Sequence, residues 1–244
     1  MVLADDNFAT IIAAVEEGRA IFSNIRKFLR YLLSSNIGEV LTMFFGVLFA
    51  GSIGLVSDTA VVLPLLATQI LWINLVTDGA PALALGVDPA DPDLMSHPPR
   101  PASERVLTAA MWRGIAFVGL IMAAATLFVL DASLPGGFVE GPGPLSYGQT
   151  MAFTTLMLFQ IFNVLNARSD TRSAFVGLFS NGWLWTAIAG SIGLQIAVVY
   201  LPFLQSAFGT VALSGGDWLF CVVVASAVLW LRELTKLMSR RRQA

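Results

Sequence analysis

Apolar residues run in six long blocks, Leu32 to Ala50, Val61 to Leu85, Met111 to Leu130, Tyr147 to Asn166, Trp183 to Phe203 and Trp218 to Leu231. Each is close to the roughly 20 residues that carry a helix across a hydrocarbon core about 30 Å thick. The pattern predicts an all-α membrane protein with six transmembrane helices. Ahead of the first block the pattern turns amphipathic, with Ile11, Ile12, Val15, Phe22, Ile25 and Leu29 at helical spacing and charges between them. Asp5-Asp6-Asn7 can cap a helix that begins near Phe8. Joined to the first block, a helix from about Ala9 to Ala50 measures roughly 60 Å, twice a bilayer thickness, and forms a long cytoplasmic stalk. Gly18 and Gly38 weaken it locally.

Composition excludes a soluble single-core domain, since 56% of the 244 residues are hydrophobic and only 12% charged. The basic residues then orient the chain. Arg19, Arg26, Lys27 and Arg30 precede the first block, and Arg100, Arg105 and Arg113 lie between the second and third or at their edges. Arg168 and Arg172 follow the fourth, and Arg232, Lys236 and Arg240 to Arg242 follow the sixth. The connections near Gly51 to Ala60, Asp131 to Leu145 and Ser206 to Gly216 contain none. Both termini are therefore expected in the cytoplasm, by the excess of Lys and Arg on that side. Trp112, Trp183, Trp185, Trp218 and Trp230 at block ends read as interfacial anchors. Cys221 is alone, which leaves no disulfide framework and no thiolate metal site. Met1 to Glu17 carries four acidic residues, unlike a secretory leader. The expected partner is the lipid bilayer, and nothing in the chain points to nucleic acid.

Of sixteen acidic residues, only Glu39 and Asp78 fall well inside a block, where a lone charge is costly. Asn36 and Ser35 lie one helical turn before Glu39. The other carboxylate stands in Asn74-x-x-Thr77-Asp78-Gly79-Ala80-Pro81. Carboxylate, amide and hydroxyl oxygens are what a hard cation such as calcium needs in place of its hydration shell. Pro81 removes a backbone donor and Gly79 eases non-helical angles, so this helix is expected to break at mid-membrane and expose carbonyls. Gln160, Asn163 and Asn166, spaced i, i+3, i+6, could face the same cavity or act as interhelical glue. A bland reading of Glu39 and Asp78 is a protonated pair joining two helices. His97 reads as a loop residue, since no second His or Cys joins it, and Arg240 to Arg242 as a positive anchor at the membrane surface.

Met1-Val2-Leu3-Ala4-Asp5-Asp6-Asn7-Phe8 with Val15-Glu16-Glu17-Gly18-Arg19 resembles the exit from the phosphorylation domain of P-type cation-transporting ATPases. Ser34-Ser35-Asn36-Ile37-Gly38-Glu39 resembles their fifth membrane helix. Asn74 to Ala82 resembles the sixth, closest to the sarcoplasmic-reticulum-type calcium pumps. The likeness spans nearly the whole chain, strongly to about Pro101. It implies the end of the phosphorylation domain and a stalk over 1–30 and an ion-binding helix pair over 31–86. A cytoplasmic loop would follow over 87–107, and a four-helix bundle over 108–244. It implies Asn36, Glu39, Asn74, Thr77 and Asp78 as cation ligands, with calcium as the transported ion. The fourth block matches the family's eighth helix through Asn163 to Asn166, and Gln160 stands where two-calcium pumps carry glutamate.

The chain contains no Asp-Lys-Thr-Gly-Thr, Thr-Gly-Glu-Ser or Gly-Asp-Gly-x-Asn-Asp motif. ATP and magnesium therefore belong only to a full-length parent, and the chain alone is expected to hydrolyse nothing. The resemblance implies as a partner the pump's N-terminal half, expected to hold four membrane helices with the actuator, phosphorylation and nucleotide domains. Rival readings are a channel or secondary transporter built on Glu39 and Asp78, and a membrane subunit that joins a separately encoded N-terminal half.

Overall fold

The computed structural model describes residues 8–57, 60–96, 98–99, 101, 105–169 and 172–241. Asp5-Asp6-Asn7, His97, Arg100 and Arg242 lie outside them. The first helix, α1 (Phe8–Leu48), runs unbroken through Gly18 and Gly38, about 60 Å at 1.5 Å per residue. Next comes a two-residue antiparallel pair, β1 (Val56–Ser57) with β2 (Ala60–Val61), so among the described residues the regular structure is helical apart from this ladder. The helices α4 (Ala109–Asp131), α5 (Leu145–Ala167), α6 (Gly182–Tyr200), the short α7 (Pro202–Phe208) and α8 (Gly215–Arg241) complete the chain. Thr108 Oγ1 caps α4 by accepting from the Met111 N–H at 3.2 Å, and Asn181 Oδ1 caps α6 by accepting from the Leu184 N–H at 3.0 Å.

Among the described residues, five helices are long and apolar enough to cross a membrane: α1, α4, α5, α6 and α8. The expected second span is built differently. Helical structure begins at Ala67, not Val61, and passes through α2 (Ala67–Trp72), a π-helical segment (Ile73–Asp78) and α3 (Gly79–Gly86). No break occurs at Gly79, whose φ of −62° and ψ of −52° are ordinary helical values. The physical reason lies in Pro81. Its ring would strike the carbonyl four residues back in a regular α-helix, and a widened π turn immediately before it gives the ring room while keeping the chain helical.

The core centres on α5, which is buried on nearly every side and packs against α1, α4, α6 and α8. Phe153, Leu156 and Phe159 are fully enclosed. α1 crosses α4 at close range, since a Cβ built on Gly119 would lie 2.5 Å from Ile37 Cγ2 and 3.1 Å from the Gly38 nitrogen. Small residues permit this approach. It fixes the height at which Glu39, the next residue on α1, enters the bundle.

Candidate cation site

Glu39 sits on the inner side of α1 and is 4% exposed. Each carboxylate oxygen has one neutral donor: Asn74 Nδ2 reaches Oε2 at 2.7 Å, and Gln160 Nε2 reaches Oε1 at 2.8 Å. Three elements thus meet at one side chain: α1, the π segment and α5. Asp78, at the end of the π segment, is 1% exposed and within Coulombic reach of Glu39. Its Oδ1 lies 2.9 Å from the Tyr31 hydroxyl. Two amides and a phenol are weak compensation for a pair of buried acids, a costly arrangement unless a cation or protons join them.

Around these acids, Ser35 Oγ, Thr77 Oγ1, Asp78 Oδ2 and Gln160 Oε1 are buried with no hydrogen-bond partner. Ser35 neighbours both Asp78 and Tyr31. Three unused neutral oxygens beside two carboxylates, one of them with its own oxygen Asp78 Oδ2 unused, form a ligand set of the kind a hard divalent ion takes. No cluster of three or more His, Cys, Asp or Glu exists among the described residues, so any ion here relies on hydroxyl and amide oxygens as well.

The structure therefore brings together Glu39, Asn74, Thr77, Asp78 and Gln160, and not Asn36. The Asn36 amide donates back to the Leu32 carbonyl at 2.8 Å on the exposed face of α1. Three residues of helix turn a side chain by about 60°, enough to carry Asn36 off the face that holds Glu39. The same drift separates the polar residues of α5. Gln160 meets Glu39, but Asn163 Nδ2 donates to Ser34 Oγ at 2.8 Å and Asn166 Nδ2 to the Val228 carbonyl of α8 at 3.2 Å. The three do not share a cavity.

Two residues beyond the expected set stand out. Tyr31, fully buried on α1, also reaches the Thr77 carbonyl at 3.1 Å. Asp88, just past α3, is 5% exposed. Lys27 Nζ reaches its Oδ2 at 2.8 Å, Arg168 Nε its Oδ1 at 3.1 Å, and Asn181 Nδ2 the same Oδ1 at 3.0 Å. Asn24 Nδ2 holds its main-chain carbonyl at 2.7 Å. This knot ties α1, α3, α6 and the end of α5 at one end of the bundle, three helical turns from Glu39 along α1. Its signal in the sequence is the buried-face register of Asn24 and Lys27, which a count of apolar blocks overlooks.

The buried, oxygen-lined acids thus sit among helices long and apolar enough to cross a membrane, the makeup of a multi-pass membrane domain. Residues 62–238 match the family model described as cation transporting ATPase, C-terminus, and the chain belongs to that family. It is 41% identical over 231 residues to a calcium-transporting ATPase of Bacillus subtilis (strain 168), covering 95% of this chain and 24% of that protein. It is 38% identical over 244 residues to the human calcium-transporting ATPase type 2C member 1, covering 100% and 25%. Against calcium-transporting ATPase 4, endoplasmic reticulum-type, of Arabidopsis thaliana the identity is 34% over 291 residues, covering 98% and 26%. The chain spans about a quarter of the length of the curated relatives it matches.

Proposed function

We propose that this chain is the cation-binding membrane region of an ATP-driven calcium transporter, with the ion held between α1, the π segment and α5. The observation that carries the reading is the Glu39 carboxylate gripped by Asn74 and Gln160 beside Asp78, with Asp78 Oδ2 and three neutral oxygens buried without hydrogen-bond partners. Glu39 and Asp78 supply the charge to neutralise one divalent ion, Thr77, Asn74 and Gln160 supply neutral oxygens, and Ser35 joins them. Asn36 belongs to the set only if its side chain turns inward. The names of the relatives favour calcium as the ion.

The helical stretch from Ala67 to Gly86 rises about 30 Å, which matches the hydrocarbon core and makes it the sixth crossing. Six crossings put both termini on one side, and the placement of Lys and Arg makes that side the cytoplasm. The N-terminal half of α1 then projects from the bilayer as a stalk, and the knot at Asp88 fixes its foot. The partners are the lipid bilayer and the ATP-hydrolysing part of the transporter, where ATP and magnesium act.

The test is ATP-driven uptake of radioactive calcium into sealed vesicles by the complete transporter that carries this segment. Uptake that needs roughly tenfold more calcium, or worse, with Glu39→Gln is expected. A complete transporter that hydrolyses ATP but moves no calcium overturns the reading.

A further inference from the structure

Pro81 has no N–H, so the carbonyl of Thr77, four residues earlier, loses the donor that a regular helix provides. That carbonyl is buried beside the acids. The Tyr31 hydroxyl of α1 lies 3.1 Å from it and 2.9 Å from Asp78 Oδ1. Thr77 and Asp78 are the last residues of the π segment, and both are 1% exposed. The phenol thus reaches, from another helix, the place where proline interrupts the backbone ladder.

We propose that Tyr31 is a positioning residue of the cation site: its hydroxyl replaces the backbone donor that Pro81 removes and thereby fixes the π turn that aims Thr77 and Asp78. A phenol has one proton, so it serves two acceptors by sharing it, and a carboxylate anchored in this way keeps its second oxygen, Asp78 Oδ2, free for a ligand. The aromatic ring is sealed in the core, so the hydroxyl has little freedom to swing away. This deepens the calcium reading above and rests on it for the identity of the ion.

A double-mutant cycle between Tyr31→Phe and Pro81→Ala tests it, because an alanine in place of the proline returns an N–H to the Thr77 carbonyl. The first readout is the calcium concentration that half-activates the complete transporter. Tyr31→Phe should raise it about five- to tenfold, the worth of one buried hydrogen bond, with kcat within about twofold. In the Pro81→Ala background the same change should cost about half as much or less on a logarithmic scale. A general packing role would lower kcat with the affinity and would cost the same in both backgrounds. The second readout is thermal unfolding of this 244-residue chain in detergent. There Tyr31→Phe should lower Tm more in the wild-type background than in Pro81→Ala. If the wild-type transporter ignores calcium, the functional reading fails, and the unfolding cycle alone decides the role of the phenol. Equal penalties in both backgrounds, or no penalty from Tyr31→Phe, overturn the proposal.

Discussion

Lys27 Nζ lies 2.8 Å from Asp88 Oδ2, and both side chains are almost withdrawn from solvent, at 5% and 2% exposure. Arg168 and Asn181 converge on the other oxygen. A pair this buried offsets its own desolvation only while it is complete, so losing one member strands the other. Asp88→Ala is expected to destabilise the chain by about 3–5 kcal/mol, whereas replacing Asp88 and Lys27 together by Asn and Met should cost distinctly less. Thermal unfolding in detergent measures both. A double variant as damaged as Asp88→Ala would show that the pair is not what holds this end of the bundle.

Gly119 sets the crossing of α1 and α4. An alanine there would press its Cβ to 2.5 Å from Ile37 Cγ2 and against the Gly38 backbone, which has no flexible side chain to yield. Gly119→Ala should destabilise by about 1–3 kcal/mol and weaken cation binding as well, because α1 carries Glu39 past the same point. Gly190→Ala, where nothing lies within 4 Å of the added carbon, is the matched control: it should leave cation binding unchanged and cost no stability, adding at most the about 0.5–1 kcal/mol by which alanine exceeds glycine inside a helix. Detergent melts and the calcium dependence of the complete transporter read the two effects.

How much of this is legible in the sequence depends on the scale of the signal. Helix number and placement follow from apolar runs, which is why α4, α5 and α6 begin and end within a few residues of their blocks. Glu39 and Asp78 are visible because an acid inside an apolar run is expensive and conspicuous. The π segment is not, because Gly79 and Pro81 announce a disturbance without saying whether the helix breaks or widens, and only packing against Tyr31 resolves it. Asn36 stands apart from Glu39 in the structure because neighbours at i and i+3 share a face only loosely. The prolines around Asp88 read as a loop, and its burial depends on Lys27, 61 residues earlier, and Arg168, 80 residues later.

Gln160 faces Glu39 directly at 2.8 Å, with the amide donating to the carboxylate. Gln160→Glu replaces that donor with a second acid, so two carboxylates confront each other unless a cation lies between them. The variant should unfold at lower temperature than wild type in chelator, and calcium should restore more of its Tm than it adds to wild type. Circular dichroism melts with and without calcium read the difference. Equal calcium shifts in the two proteins would separate Gln160 from the ion.

On the proposed function, the carboxylates of Glu39 and Asp78 hold the transported ion. The calcium dependence of the complete transporter bearing Asp78→Asn, Glu39→Gln or Gln160→Ala tests this. Each acid attracts a divalent ion at contact by on the order of 10 kcal/mol, even at an effective dielectric of about 20, and this offsets the cost of stripping the ion's water, whereas an amide contributes only a dipole. Both carboxylate variants should therefore need roughly tenfold more calcium or worse. Asp78→Asn should be the more severe, because Asp78 closes the π turn where the helices meet, and Gln160→Ala should be the mildest. Normal calcium affinity in both carboxylate variants, with affinity abolished by Gln160→Ala, would contradict the account and leave the acids as a link between helices.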